Sequence, residues 1–144
     1  MKIAADTNVL LRIVVDDDAE QRKLAEAELA DAETIAIPIV VLCELVWTLL
    51  RLYQQTREDI AADVRRLINA SNVVVNRGAA EAGLAMLDDG GDFADGVIAH
   101  EGRALGADCL VSFDKRAANL LTPRGEAVRL LTNGASPLEA HHDS

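Results

Sequence analysis

The sequence predicts an α/β fold: a single three-layer domain in which a parallel sheet of about four to five strands is flanked by helices. Short aliphatic runs alternate with amphipathic segments along the chain, which is typical of a parallel sheet. The 144 residues suit one domain, and the 3% aromatic content predicts an aliphatic core. We expect this domain over residues 1–131 and a flexible tail over 132–144.

The predicted elements follow from local patterns. Each strand is a short aliphatic run bounded by turn residues, and each helix carries apolar residues at intervals of three and four. Leu24, Ala25 and Leu29 form such a stripe in the first amphipathic helix. The run Asp16–Asp18 suits the start of that helix better than a metal site, and Pro38 suits the start of the next. The predicted strands are 2–5, 34–37, 72–76, a run ending at Val111, and 127–131; the predicted helices are 19–32, 39–53, 57–69, 78–87, 92–105 and 116–121.

The charge and composition exclude several classes of protein. A net charge of −10 argues against a protein that coats nucleic acid through a basic face, although it leaves a metal-dependent nuclease open. With so few aromatic residues, base stacking is not expected on any scale. Cys43 and Cys109 belong to no paired motif, which predicts reduced, buried thiols in a cytoplasmic protein. The longest apolar run, 35–50, is too short and too polar to cross a membrane.

Two acidic residues stand out in the first half of the chain. Asp6 follows the first strand, and ligands bind at the carboxyl ends of strands in α/β sheets. The alternative is that Asp6 only turns the chain or caps a helix. Glu44 is the only charged residue between Thr34 and Arg51, and burying an unpaired carboxylate is costly. It is therefore either neutralised by a cation or at the rim of a cleft, unless it is simply exposed.

Further acidic residues come late in the chain. Asp92 suits the N-cap of a helix, and Asp95 stands three residues on, as in a capping box. Asp95 is the better metal ligand of the two because the oxygens of a cap bind backbone N–H groups. Asp114 follows a strand and repeats the layout at Asp6. Right-handed crossovers place the carboxyl ends of parallel strands at one edge, so Asp6, Glu44, Asp95 and Asp114 are predicted to converge on one cleft.

The predicted acid cluster favours a hard divalent cation. Carboxylate oxygens without a His or Cys cluster select Mg²⁺ or Mn²⁺ over zinc. Two such ions would balance four carboxylates, whereas one ion would leave an excess of negative charge. The cluster therefore predicts one or two Mg²⁺ or Mn²⁺ ions.

Four ordered segments resemble a known family. They are Asp6-Thr7-Asn8, Glu44 within an apolar helix, the segment from Asp92 to Ala99, and Ser112-Phe113-Asp114. In this order and spacing they resemble the PIN-domain ribonucleases, and the length resembles the VapC-type toxins of bacterial toxin–antitoxin pairs. The resemblance covers about residues 1–131.

The resemblance implies a role for each matching residue. The residues expected to be catalytic and to bind Mg²⁺ or Mn²⁺ are Asp6, Glu44, Asp95 and Asp114. The residues expected to support them are Thr7, Asn8, Asp92 and Ser112, with Asp92 binding the metal through water. Gly96 stands where many relatives carry Ala, and His100 stands where a small residue is common; the role of His100 is left open.

The resemblance also implies partners. The substrate would be single-stranded or loop RNA, bound weakly with the help of Lys115, Arg116, Arg12 or Arg51. A cognate VapB-type antitoxin would bind a groove formed by the helices at 39–53 and 57–69, and the chain would form a homodimer. No direct DNA binding is expected, because the chain has neither a helix-turn-helix pattern nor a basic stripe. No membrane binding is expected either, because the longest apolar run is too short and too polar.

Other functions remain alternatives at this point. A catalytically inactive PIN-like module that binds protein or RNA would share the fold. A Mg²⁺-dependent phosphatase of the haloacid-dehalogenase type also carries an Asp after its first strand, but it needs a second Asp where this chain has Asn8. The acids of a receiver domain come early in its chain, and no phosphate-binding loop of an NTPase is present.

Overall fold

The structure is a computed structural model that describes residues 1–132. The part of the predicted tail from residue 133 onward, including His141 and His142, lies outside the described residues. The chain divides into two compact units, Met1–Ala80 and a second unit that begins at Glu81. Each unit is described by itself below.

Helices separate successive strands in both units, as predicted, although the first helix, over residues 7–14, was not among the predicted ones. The strands are β1 (Lys2–Ala4), β2 (Thr34–Ile37), β3 (Val73–Val75), β4 (Leu110–Ser112) and β5 (Val128–Leu130). The helices are α1 (Thr7–Val14), α2 (Ala19–Asp31), α3 (Ile39–Arg51), α4 (Arg57–Asn69), α5 (Arg77–Asp88), α6 (Phe93–Ala104) and α7 (Lys115–Leu121). The α/β class is thus confirmed. The strands pair in parallel as a three-stranded sheet, β1-β2-β3, and a two-stranded sheet, β4-β5.

The first unit packs its helices against one face of the three-stranded sheet. Ile35 and Ile37 of β2 are buried, and the adjoining helices contribute buried aliphatic residues such as Leu42, Leu45 and Leu49. Side chains alternate between the two faces of a strand. The opposite face therefore carries the small or exposed positions, which in the paired register are Ala4, Ala36 and Val74.

The second unit has a smaller core. Met86, Ala99, Ala117 and Leu121 form one buried cluster, so α5, α6 and α7 meet there. Phe93, at the first position of α6, is 1% exposed. It places the start of this helix firmly within the unit. None of the helices among residues 1–132 combines the length and the apolar character needed to cross a bilayer.

Several side-chain predictions were wrong in detail. Leu24 of α2 is 70% exposed and Ala25 is buried, because this helix buries a face narrower than the predicted stripe. Cys43 and Cys109 are free thiols, but both are only half-buried. On α3, Val40 and Trp47 are exposed, so this helix, although apolar on nearly every side, is not buried on all of them.

Candidate functional site

Asp6 joins the end of β1 to the start of α1. Its backbone is extended, and its Oδ1 accepts a hydrogen bond from the backbone N–H of Val9 at 3.1 Å. Asp6 is therefore the N-cap of α1, one of the alternatives that the sequence left open. The bond occupies one carboxylate oxygen, and the side chain is exposed. The other oxygen has no hydrogen-bond partner among residues 1–132.

Thr7 links this turn to α3. Its Oγ1 donates a hydrogen bond to Oε2 of Glu44 at 2.9 Å. Glu44 is exposed, whereas its neighbour Leu45 on the same helix is fully buried. Glu44 therefore avoids the desolvation cost of burial by lying at the surface, hydrogen-bonded to the residue that follows Asp6. Asn8 is exposed beside them.

Glu44 shares its face of α3 with three other exposed residues. Val40, Glu44, Trp47 and Arg51 follow one another at intervals of four, three and four, and all are exposed. Residues at these intervals lie along one side of a helix. We call this set the α3 stripe. The sequence analysis did not identify this set, although residues three and four positions away from Glu44 were the signal that could have found it.

Asp92 and Asp95 lie at the start of α6. Asp92 is the N-cap and accepts a hydrogen bond from the backbone N–H of Ala94 through Oδ1 at 3.1 Å. Asp95 lies in the first turn of the helix and is half-buried. The cap and the acid three residues on therefore occupy the positions that the sequence predicted.

Asp114 lies between β4 and α7. Its Oδ1 accepts a hydrogen bond from the backbone N–H of Ala117 at 3.1 Å, and its own N–H donates to Oγ of Ser112 at 2.9 Å. Ser112 thus fixes the turn in which Asp114 sits. This layout, with an aspartate capping a helix after a strand, repeats the layout at Asp6.

The surroundings of Asp95 disfavour the ionised form of its carboxyl group. The pKa of its carboxyl is raised to about 6, mainly by burial and in addition by the negative charges of Asp92 and Asp114. The three carboxylates of the second unit are therefore close enough to repel one another. A cation bound near Asp95 would relieve this repulsion, because like charges favour protonation and an opposite charge favours ionisation.

The donor atoms in each unit fit a hard divalent cation. All are carboxylate oxygens, and Mg²⁺ is often held by only one or two carboxylates with water completing its shell. Within either unit, the described residues contain no group of three or more His, Cys, Asp or Glu side chains arranged to hold a metal ion. The metal-ligand roles of Asp6, Glu44, Asp95 and Asp114, and their convergence on one cleft, stay predictions.

The basic residues expected to attract RNA differ in their availability. Arg12 donates hydrogen bonds to Asp17 at 2.6 Å and to the Tyr53 hydroxyl at 3.3 Å, and the carboxylate of Asp17 offsets its charge. Arg116 donates to the carbonyl of Gly90. Lys115 and Arg51 are exposed. We therefore regard Lys115 and Arg51 as the stronger candidates for contacts with phosphate.

Comparison with protein families places the chain. A family model described as "PIN domain" matches residues 3–120, which is most of the chain and includes all four candidate acids. The comparison with curated proteins gives no match.

Proposed function

Because the chain belongs to the PIN domain family, whose members are generally nucleases, we propose that it is a Mg²⁺- or Mn²⁺-dependent endoribonuclease. It cleaves single-stranded or loop RNA and acts as the toxin of a toxin–antitoxin pair in the cytoplasm. The observation that supports this proposal most is that the family match spans Asp6, Glu44, Asp95 and Asp114. The donor chemistry of these residues agrees with it.

The residues of the chain have distinct tasks in this proposal. Asp6, Glu44, Asp95 and Asp114 bind Mg²⁺ or Mn²⁺, which supplies an acidified water and charge stabilisation for phosphodiester hydrolysis. Thr7 orients Glu44 through the 2.9 Å hydrogen bond. Ser112 orients Asp114 through its turn. Since each capping aspartate uses one oxygen for the helix, its other oxygen is the one proposed to bind the metal.

Cleavage of a fluorophore–quencher RNA in Mn²⁺ tests the proposed function. The variants are Asp6→Asn and Asp95→Asn, which keep side-chain shape and remove charge. The matched control is Asp108→Asn, an exposed aspartate outside the candidate site. We expect the two site variants to lose at least 100-fold in kcat/KM, a typical loss when charge stabilisation at a reaction centre is removed, while the control keeps wild-type activity.

The alternatives predict other results in the same experiment. Equal cleavage by all four proteins would contradict the nuclease proposal. A phosphatase would hydrolyse p-nitrophenyl phosphate and leave the RNA intact, and an inactive module would retain RNA without cleaving it. Loss of cleavage in EDTA and its recovery on adding Mn²⁺ would separate a metal-dependent enzyme from a contaminating metal-independent ribonuclease.

An apolar groove in the first unit supports the proposed antitoxin. It has a volume of about 550 Å³ and is lined by residues of α1, α2, α4 and the adjoining strands. Of the two helices expected from the sequence to form it, α4 lines it and α3 does not. Its apolar residues include Leu10, Ile13, Val14, Leu29 and Leu67. A groove of this kind fits the apolar face of an amphipathic helix, so we propose that the antitoxin inserts one there.

Co-expression tests the proposed antitoxin groove. The partner is the product of a small reading frame adjacent to the gene, if one is present. Leu67→Glu places a charge in the groove, and Leu24→Glu is its control because Leu24 is 70% exposed outside the groove. We expect Leu67→Glu alone to prevent co-elution and inhibition of RNA cleavage. Equal inhibition of both variants would place the antitoxin elsewhere.

The proposed homodimer is tested by measurement of its mass. Sedimentation of the wild-type protein across a range of concentrations should give twice the 15.4 kDa chain mass at high concentration. A constant monomer mass would contradict the dimer without affecting the nuclease proposal.

A further inference from the structure

The α3 stripe contains an aromatic ring between two charged groups. Trp47 is 56% exposed. Glu44 lies three residues before it and Arg51 four residues after it, and both are exposed. Side chains at these intervals are neighbours on a helix surface, with about 5–6 Å between Cβ atoms. A flat apolar ring is therefore bordered by a carboxylate on one side and a guanidinium on the other.

The exposure of Trp47 is not required by the packing of the first unit. The adjacent residues Leu45 and Val46 already face the core, at 0% and 2% exposure. Trp47 is the only tryptophan of the chain, and so large an apolar side chain is usually mostly buried. An exposed tryptophan on a well-packed helix indicates a binding role for the ring.

We infer that Trp47 stacks on an unpaired base of the RNA substrate, while Arg51 contacts a phosphate of the same strand. This inference rests on the proposed function and names the residues that bind the nucleotides beside the cleavage site. Aromatic rings stack on any of the four bases, which suits a single-stranded substrate. A duplex would not offer an unstacked base to the ring.

Two observations favour RNA over a second copy of the chain as the occupant. The stripe is one residue wide and half of it is charged, whereas the core of a protein interface is depleted of charge and buries about 800 Å² per partner. The stripe also includes Glu44, which is hydrogen-bonded to Thr7 beside Asp6. A strand lying along α3 from Arg51 past Trp47 would thus reach the carboxylates of the first unit.

Tryptophan fluorescence gives a direct test, because Trp47 is the only emitter of its kind in the chain. The wild-type protein is titrated with a 12-nucleotide single-stranded RNA of mixed sequence, in EDTA and at low salt, so that cleavage does not interfere. We expect saturable quenching and protection of the ring from acrylamide. The same RNA annealed to its complement should give little quenching. Emission that changes with protein concentration in the absence of RNA would instead indicate a second copy and would overturn the inference.

Cleavage kinetics in Mn²⁺ provide the second measurement. Trp47→Ala should raise KM roughly tenfold with little change in kcat, the loss expected for one stacked base, and Trp47→Phe should recover most of it. Arg51→Gln should also raise KM and weaken its dependence on salt. The control is Leu105→Ala, because Leu105 is 89% exposed in the second unit.

The outcomes separate this inference from the proposed function. If the wild-type protein cleaves RNA while Trp47→Ala has an unchanged KM and RNA does not quench the fluorescence, only the inference is wrong. If the wild-type protein cleaves no RNA in Mn²⁺, the proposed function is wrong, whatever Trp47 does.

Discussion

Three aspartates each cap the start of a helix by accepting a hydrogen bond from a backbone N–H through one carboxylate oxygen. They are Asp6, Asp92 and Asp114. At the sequence level, capping and metal binding were competing explanations for such residues. The structure shows the capping bonds, and within residues 1–132 the second oxygen of each carboxylate has no hydrogen-bond partner. Capping also fixes the side chain in one rotamer, so a residue that caps a helix is well suited to hold a ligand in a defined position.

The Thr7–Glu44 hydrogen bond predicts the effect of removing the hydroxyl group of Thr7. Thr7→Val keeps the shape of the side chain and removes its O–H donor. We expect the unfolding free energy to fall by about 1 kcal/mol or less, because the acceptor is exposed. We expect kcat/KM with Mn²⁺ to fall roughly tenfold. Thr7→Ser retains the donor and should retain the activity. Full activity of Thr7→Val would show that Glu44 needs no orientation by Thr7.

The ionised carboxylate of Asp95 is proposed to be needed for activity, but it is expected to lower the stability of the fold. Its folded-state pKa of about 6 exceeds the ordinary value of 3.8 for an aspartate, so the native protein binds more protons than the unfolded chain between these pH values. Unfolding free energy therefore falls as pH rises from about 4 to 6. A carboxylate near a helix N-terminus is favoured by about 0.3–1 kcal/mol, but the raised pKa shows that burial and repulsion prevail.

Asp95→Asn removes this penalty. In EDTA at pH 7.5 the variant should melt a few degrees above wild type, because solvent screening of the half-buried group limits the gain to about 1 kcal/mol. The difference should shrink as the pH falls from 6 towards about 3, where Asp95 is largely protonated in both states. Asp108→Asn serves as the exposed control. A variant that is less stable than wild type at pH 7.5 would contradict the repulsion among these carboxylates.

At the level of elements, two glycines of α6 are expected to respond in opposite ways when they are replaced by alanine. A Cβ at Gly96 would overlap the carbonyl oxygen of Ala82 and lie 2.8 Å from Cγ of Met86, whereas a Cβ at Gly102 meets nothing within 4 Å. The sequence showed Gly96 only as a departure from relatives with Ala. The structure supplies the reason, because α6 approaches the backbone of α5 too closely for a methyl group.

Gly96→Ala and Gly102→Ala form a matched pair on one helix. Gly102→Ala should stabilise the protein by up to about 1 kcal/mol through helix propensity alone. Gly96→Ala gains the same propensity, but overpacking against α5 costs about 1–3 kcal/mol and should leave it less stable than wild type. Chemical denaturation of both variants gives the comparison. Equal stabilisation by the two substitutions would show that α5 and α6 can move apart without cost.

The elements predicted best are those with a strong local signal. The helix at 57–69 was placed at its observed bounds, because Thr56 caps it and its apolar residues keep a regular spacing. Exposure was predicted less well. Apolar residues on α2 and α3 looked alike in the sequence, yet Leu24 and Trp47 are exposed while Leu45 is buried. Which side of an apolar helix meets a neighbour depends on tertiary packing, which periodicity does not encode when nearly all sides are apolar.

The sequence likewise predicted some parts of the candidate site and not others. The acids were found because carboxylates at strand ends and in apolar helices need a physical explanation. The hydrogen bond from Thr7 to Glu44 joins residues 37 positions apart. The family resemblance implied a supporting role for Thr7, but no local pattern identified Glu44 as its partner. The low aromatic content argued against base stacking in general, but it does not exclude the proposed stacking of Trp47, because one well-placed ring is enough to bind one base.

For the whole molecule, the net charge of −10 sets the conditions for RNA binding. Without the four candidate acids the charge is still −6, so the phosphate backbone is repelled by the protein at long range. Attraction must then come from a bound divalent cation and from a few exposed basic groups such as Lys115 and Arg51. Association should therefore be weak without metal and moderately sensitive to salt.

Filter binding of single-stranded RNA checks this expectation. With EDTA at 150 mM salt, little RNA should be retained at micromolar protein, and Mn²⁺ should increase retention, measured with Asp92→Asn so that cleavage is slowed. Two phosphate contacts on a single strand correspond to a slope of about −1.4 in log K against log salt. Tight binding in EDTA, or a slope several times steeper, would require a basic surface that this acidic chain was not expected to have. Either result would mean that RNA is bound by many local charges rather than by a metal and a few exposed cations.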